Sequence, residues 1–91
     1  MSRVDFGREV NYSVLKKAII YNAQKVGWKA IVREDDRGRF QLCEGDRLAM
    51  QVNVPFLDSV NSFYIYDGDA SRVQVKEYMD NVLSSVNGVL E

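Results

Sequence analysis

The chain has 91 residues, of which 46% are hydrophobic and 27% charged, and its formal net charge is −1. These values describe one small globular domain spanning residues 1–91, with no room for a second. The sequence contains no histidine and a single cysteine, which excludes a Ser-His-Asp triad, a Cys-His dyad, histidine-ligated zinc and an internal disulfide.

The chain also lacks the signals of export and of membrane insertion. No apolar run approaches the roughly 20 residues that a membrane helix needs, and the N-terminal residues lack the apolar core of a signal peptide. We therefore expect a cytoplasmic protein without a membrane span.

The chain begins with a weak strand pattern and a clear helix pattern. The first ten residues alternate weakly between apolar and polar and predict a strand that Gly7 interrupts. Asn11 or Ser13 can cap the helix that follows, and Gly27 is typical of a left-handed helix end. The helical spacing predicts one buried face formed by Leu15, Ala18, Ile19, Asn22 and Val26.

Four strands with intervening turns are predicted next, at residues 28–34, 39–43, 48–54 and 62–66. Between the first two strands, Gly38 is free to adopt a positive φ in a turn. The third strand has the clearest alternation in the chain. The side chains expected to face the core are Trp28, Ala30, Val32, Phe40, Leu42, Leu48, Met50, Val52, Val54, Phe63 and Ile65.

The last element is a second helix. Ser71 and Gln74 have the spacing of a capping box at its start. The predicted order is β-α-β-β-β-β-α, or the same without the first strand. It indicates an α+β fold with one antiparallel meander sheet of four or five strands and two helices on one face. This order resembles one half of the TATA-binding-protein fold and small secretion chaperones, which implies the fold and no function. The apolar stripe of the second helix is predicted to contain Val75, Met79, Val82, Val86 and Leu90.

Candidate sites for chemistry are few. Asp67 and Asp69 are spaced like the first ligands of a calcium loop, but the glycine and glutamate that an EF-hand requires are replaced by Arg72 and Tyr78. We therefore predict no bound metal and no cofactor, and a melting temperature that calcium, magnesium and EDTA leave unchanged. Cys43 is interpreted as a passive cysteine. Four carboxylates in predicted turns are interpreted as solvated, so we predict that the chain is not an enzyme: Asp35, Asp36, Glu44 and Asp46.

Positive charge is concentrated on the first helix and the strand after it. This pattern is typical either of a solvated helix face or of a patch that binds phosphate or an acidic partner. The candidate basic patch consists of Lys16, Lys17, Lys25 and Lys29.

The sheet face opposite the helices is the main candidate for binding, because the residues predicted on it carry no charge and interface cores are depleted in charge and enriched in tyrosine. We predict that the domain self-associates as a homodimer or docks a protein partner there. The alternative is weak nucleic-acid binding, with bases stacked on Tyr64 and Tyr66 and phosphates held by the lysines. The predicted partner-binding residues are Gln41, Ala49, Gln51, Asn53, Tyr64 and Tyr66, beside Cys43.

Overall fold

The computed structural model describes residues 2–35, 37–55 and 58–90. They form one open antiparallel sheet with strand order β1-β5-β4-β3-β2, together with two helices. The order β-α-β-β-β-β-α and the α+β fold are as predicted, and the first strand is present. The elements are β1 (Ser2–Asn11), α1 (Tyr12–Lys25), β2 (Lys29–Glu34), β3 (Arg37–Glu44), β4 (Arg47–Pro55), β5 (Ser59–Asp67) and α2 (Arg72–Leu90).

The core lies between the two helices and one face of the sheet. Alternate residues of β3, β4 and β5 point toward the helices, which is the period of two that the sequence predicts for these strands. No helix in the described part of the chain is long and apolar enough to cross a membrane. The fully buried side chains that meet in this layer include Leu15, Ile19, Phe40, Leu42, Met50, Val52, Phe63, Ile65, Val82 and Val86.

The two ends of α1 follow the predicted signals, but its last turn does not. The side chain of Asn11 accepts a hydrogen bond from the backbone N–H of Ser13, and Gly27 has φ 85°. Val26 was predicted to be buried and is 48% exposed, because the helix ends at Lys25 and Val26 is its cap residue. Ala23, which is fully buried, occupies the last core position instead.

A polar cluster joins the start of α1 to the end of β2. Tyr12 Oη donates to Glu34 Oε2 at 2.9 Å, and Lys16 Nζ donates to Glu34 Oε1 at 2.6 Å. These hydrogen bonds lower the pKa of the Glu34 carboxyl, and the bond from Lys16 has the larger effect.

The prediction for Gly38 was wrong. It lies within β3 without a positive φ, and a Cβ there would collide with the Tyr12 hydroxyl, so close approach of that side chain requires the glycine.

Helix α2 begins with the predicted capping box. The backbone N–H of Gln74 donates to Ser71 Oγ at 3.2 Å, and the backbone N–H of Ser71 donates to Gln74 Oε1 at 2.9 Å. Tyr78 borders the apolar stripe and donates from its hydroxyl to the carbonyl oxygen of Ile19 at 2.7 Å, which fixes α2 against α1. Along the stripe Val82 and Val86 are fully buried and Val75 and Met79 are partly buried, whereas the side chain of Leu90 lies outside the described residues.

The two outer strands of the sheet differ in regularity. The pairing of β1 with β5 shifts register between Asp5 and Val10, and Gly7 in that segment has φ 74°. This irregularity explains the weak alternation of the first ten residues. By contrast, β2 pairs with β3 in an unbroken register from Lys29 opposite Cys43 to Glu34 opposite Gly38.

Candidate docking face

Both helices pack on one face of the sheet, and no other described element lies over the opposite face, which we call the open face. Its side chains form two rows that cross the strands, because residues paired in register point to the same side of a sheet. The first row consists of Ile31, Gln41, Gln51 and Tyr66. The second row consists of Arg33, Arg39, Asn53, Tyr64 and Arg3.

The first row is uncharged and partly open to solvent. Ile31 and Tyr66, at its two ends, are 39% and 37% exposed, and Gln41 and Gln51 between them are half-buried. Gln51 Nε2 donates to Asn53 Oδ1 at 2.9 Å, which links the two rows in the centre of β4. The structure thus places five of the six predicted partner-binding residues on one face of the sheet, where Asn53 is buried and the other four are half-buried or exposed.

The expectation that this surface is free of charge was wrong. Arg39 lies two residues before Gln41 on β3 and therefore points to the same face. In register, Arg39 stands between Arg33 and Asn53. At the far end of the row, Arg3 forms an ion pair with Asp5 at 3.1 Å. The open face therefore has an uncharged aromatic and amide centre beside a row that contains arginines.

Ala49 is the sixth predicted residue, and its placement on the open face was wrong. A β-bulge shifts the register, so that Leu42 pairs with Met50 whereas Cys43 pairs with Leu48. The extra residue in β4 reverses which side chains face the helices on the two sides of the bulge. Ala49 is consequently buried in the core at 4% exposure, whereas Leu48, which was predicted to face the helices, is 36% exposed.

The predicted basic patch does not form one surface. Lys16 is bound to Glu34. Lys25 lies about two and a half helical turns beyond Lys16 and so points to the opposite side of α1. Lys17 lies on the exposed side of the same helix, and only Lys29 stands on the sheet. Because α1 covers the other face of the sheet, its lysines cannot hold phosphates beside bases stacked on the open-face tyrosines.

A cavity of about 100 Å³ lies near the start of α2, but its charged groups already have partners. Trp28 Nε1 donates to Glu44 Oε2 at 3.1 Å, and Arg47 Nε lies 3.4 Å from Asp69 Oδ2. The described residues contain no group of three or more side chains placed to hold a metal ion, and the Asp67 side chain lies outside them. The two contacts join the β3–β4 turn to the residue before β2 and to the segment between β5 and α2.

Sequence reasoning missed two apolar residues on this side of the sheet. Ile31 was assigned to no surface, and Leu48 was assigned to the core. The position of Ile31 could have been predicted, because it alternates with Ala30 and Val32, which pack against the core. The position of Leu48 depends on the bulge.

Comparisons with protein-family models, with curated proteins and with solved structures find no match to this chain. The functional interpretation therefore depends on the geometry of the open face.

Proposed function

We propose that this chain is a small non-enzymatic binding domain that docks a protein partner on the open face. The observation that supports this is the composition of the sheet face that neither α1 nor α2 covers. Protein interfaces are enriched in tyrosine and arginine, and their cores are depleted in other charged residues. Tyr64 and Tyr66 stand beside an uncharged centre, with Arg33 and Arg39 at one side.

The charge of the open face favours an acidic partner. Its described strand residues include four cations, namely Lys29, Arg33, Arg39 and Arg3, and one carboxylate, Asp5, which pairs with Arg3. Two copies docked by their open faces would bring two cationic surfaces together, whereas a partner that carries carboxylates would complement them. We therefore propose an acidic protein surface as the occupant, in preference to a second copy of the chain.

Site-specific crosslinking tests this proposal. A photoreactive benzoylphenylalanine replaces Gln51 at the centre of the open face and, as the matched control, Val73, which is 67% exposed on α2. After irradiation in cells that make the protein, we expect a crosslinked product with a different protein from position 51 and none from position 73. Crosslinking that is equal at the two positions would overturn the proposal.

Two further results would assign the open face to another occupant. If the purified chain sediments as a dimer that Gln51→Lys dissociates, the partner is a second copy. If it binds a single-stranded oligonucleotide in a manner that needs Tyr64 and weakens steeply with salt, the face binds nucleic acid, because phosphate contacts release counterions. Under the proposal the chain sediments as a monomer and binds no oligonucleotide.

A further inference from the structure

Strand β2 offers a regular unpaired edge. It stands at the end of the sheet order and pairs with β3 alone in the described part of the chain. Its pairing has no register shift, so its outward backbone groups follow the spacing that an added strand requires. An edge of this kind is a template for pairing with another chain.

The side chains along this edge are suited to a particular kind of strand. Lys29, Ile31 and Arg33 alternate along β2, so they share the open face, and all three are exposed. Within the described residues neither cation forms an ion pair. The edge therefore presents an exposed apolar side chain between two cations.

The same charges disfavour pairing with a second copy. In an antiparallel register that sets Ile31 beside its own copy, Lys29 lies opposite Arg33 at both ends. Like charges directly opposite each other destabilise a strand pair, and charged side chains on an edge protect it from such pairing. In a segment that places carboxylates opposite Lys29 and Arg33, attraction replaces both of these repulsions.

We infer that the edge of β2 accepts an extended segment of a protein partner in which an apolar residue is flanked, two positions away on each side, by acidic residues. Main-chain hydrogen bonds to β2 would supply affinity, and the alternate side chains opposite Lys29, Ile31 and Arg33 would supply selectivity. This inference concerns the edge of the sheet and does not require that the open face bind a partner.

A charge-reversal experiment tests the selectivity. Two fluorescein-labelled peptides, Thr-Glu-Thr-Val-Thr-Glu-Thr and Thr-Lys-Thr-Val-Thr-Lys-Thr, are titrated with the full chain at low salt and followed by fluorescence anisotropy. We expect the wild type to prefer the glutamate peptide by about tenfold or more, because both cross-strand pairs change sign between the two peptides. The double variant Lys29→Glu/Arg33→Glu should prefer the lysine peptide.

A matched control separates this effect from net charge. The double variant Lys17→Glu/Lys25→Glu makes the same charge change on α1, which packs on the covered face of the sheet, and should retain the preference for the glutamate peptide. If it loses that preference, or if the β2 variant retains it, the inference is wrong. Thermal melts by circular dichroism establish that both variants fold.

Backbone pairing is tested by blocking the amides of the glutamate peptide. Only every second N–H of a paired strand points toward its neighbour. Two versions of the peptide therefore carry N-methyl groups on the two alternate sets of residues, so that each version blocks one edge of the peptide strand. Strand addition predicts that one version loses binding and the other retains it. Equal binding by both versions, or no binding of either unmodified peptide at about millimolar concentration, contradicts the inference. Tighter binding of a single-stranded oligonucleotide than of either peptide would assign the cations of β2 to phosphate instead.

Discussion

At the scale of single residues, Tyr78 and Tyr66 lie in two different environments. Tyr78 is 2% exposed, packs against Trp28 with ring centroids 5.6 Å apart, and donates to a carbonyl of α1. Tyr66 is 37% exposed on the open face. Tyr78 therefore stabilises the fold, whereas Tyr66 is available to a partner.

The same substitution at these two tyrosines separates the roles. Tyr78→Phe removes a buried hydrogen bond and should lower the free energy of unfolding by about 1 kcal/mol. Tyr66→Phe should change it by less than about 0.5 kcal/mol, as for a surface position. Urea unfolding followed by circular dichroism measures both values. Equal losses in the two variants would show that the Tyr78 hydroxyl does not contribute to stability.

The buried tyrosines also predict how stability depends on alkaline pH. Burial raises the pKa of Tyr78. The pKa of Tyr12 is raised mainly by burial, and further by the hydrogen bond to Glu34 and by the negative charge of Glu34. In the unfolded chain both phenols lose their protons near pH 10. Their contribution to stability is therefore complete below about pH 10 and is lost as the pH rises through the raised pKa values. Above pH 10, the Tyr78 phenol should lower the free energy of unfolding by up to about 1.4 kcal/mol per pH unit, and the less deeply buried Tyr12 phenol should lower it by less. Urea unfolding from pH 9 to 11 should show this decline, and Tyr78→Phe should make it shallower.

At this scale, the contacts of a side chain could be predicted from the sequence where its partner is close along the chain. They could not be predicted where the partner is distant in sequence. The Asn11 cap and the Ser71–Gln74 capping box involve residues within three positions of each other, and both are confirmed. Gly38 could not be interpreted correctly, because the group that requires it is the hydroxyl of Tyr12, which approaches across the fold.

At the scale of elements, the apolar stripe of α2 holds the helix layer to the sheet. Val82 lies in the middle of the stripe and is fully buried, whereas Val73 on the same helix is 67% exposed. One face of α2 is therefore packed and the other is free, so the two valines allow a direct comparison.

Placing a carboxylate at these two valines tests the packing of α2. Val82→Asp should bury an unpaired charge at a cost of several kcal/mol, against a total stability of about 5–15 kcal/mol. The variant should be largely unfolded by circular dichroism, whereas Val73→Asp should melt near the wild-type temperature. A cooperative melt of Val82→Asp close to that of the wild type would contradict the packing of α2 on the sheet.

Apolar residues repeat about every 3.6 residues in a helix and every 2 residues in a strand. These repeats explain why the elements could be predicted and why one part of the open face could not. Each period can be recognised in the sequence itself, so it identified the helices and the meander and placed five of the six predicted partner-binding residues on one face of the sheet. The bulge at Leu48 and Ala49 depends on how β4 pairs with β3. It reverses which of these side chains face the helices, and the alternation within β4 alone does not show it. Likewise, the pairing of Lys16 with Glu34 depends on how α1 crosses β2.

At the scale of the whole molecule, the sheet is covered on one face and has two strands at its edges. β4 lies at the centre of the strand order with two neighbours, and its side chains Met50, Val52 and Val54 are buried in the core. β2 lies at an edge, with exposed side chains. Stability should therefore decrease from the centre of the sheet toward β2.

Hydrogen exchange measures this gradient. We expect the amides of β4 to open with a free energy close to that of global unfolding, about 5–15 kcal/mol, and those of β2 that point away from β3 to exchange fastest. Amide-resolved exchange by NMR provides the comparison within one sample. Equal protection of β2 and β4 would show that the sheet opens as a single unit.

The difference between the two outer strands also predicts the stoichiometry of strand capture. A sheet with a regular edge at both ends could grow without limit, because each added chain would offer a fresh template and form an open filament. Here the register shift and the positive φ of Gly7 interrupt β1, so only one side of the domain offers an even ladder. We therefore expect strand capture at β2 and not at β1, giving a complex of one domain with one ligand segment. The irregular segment of β1 would then limit each domain to one captured strand.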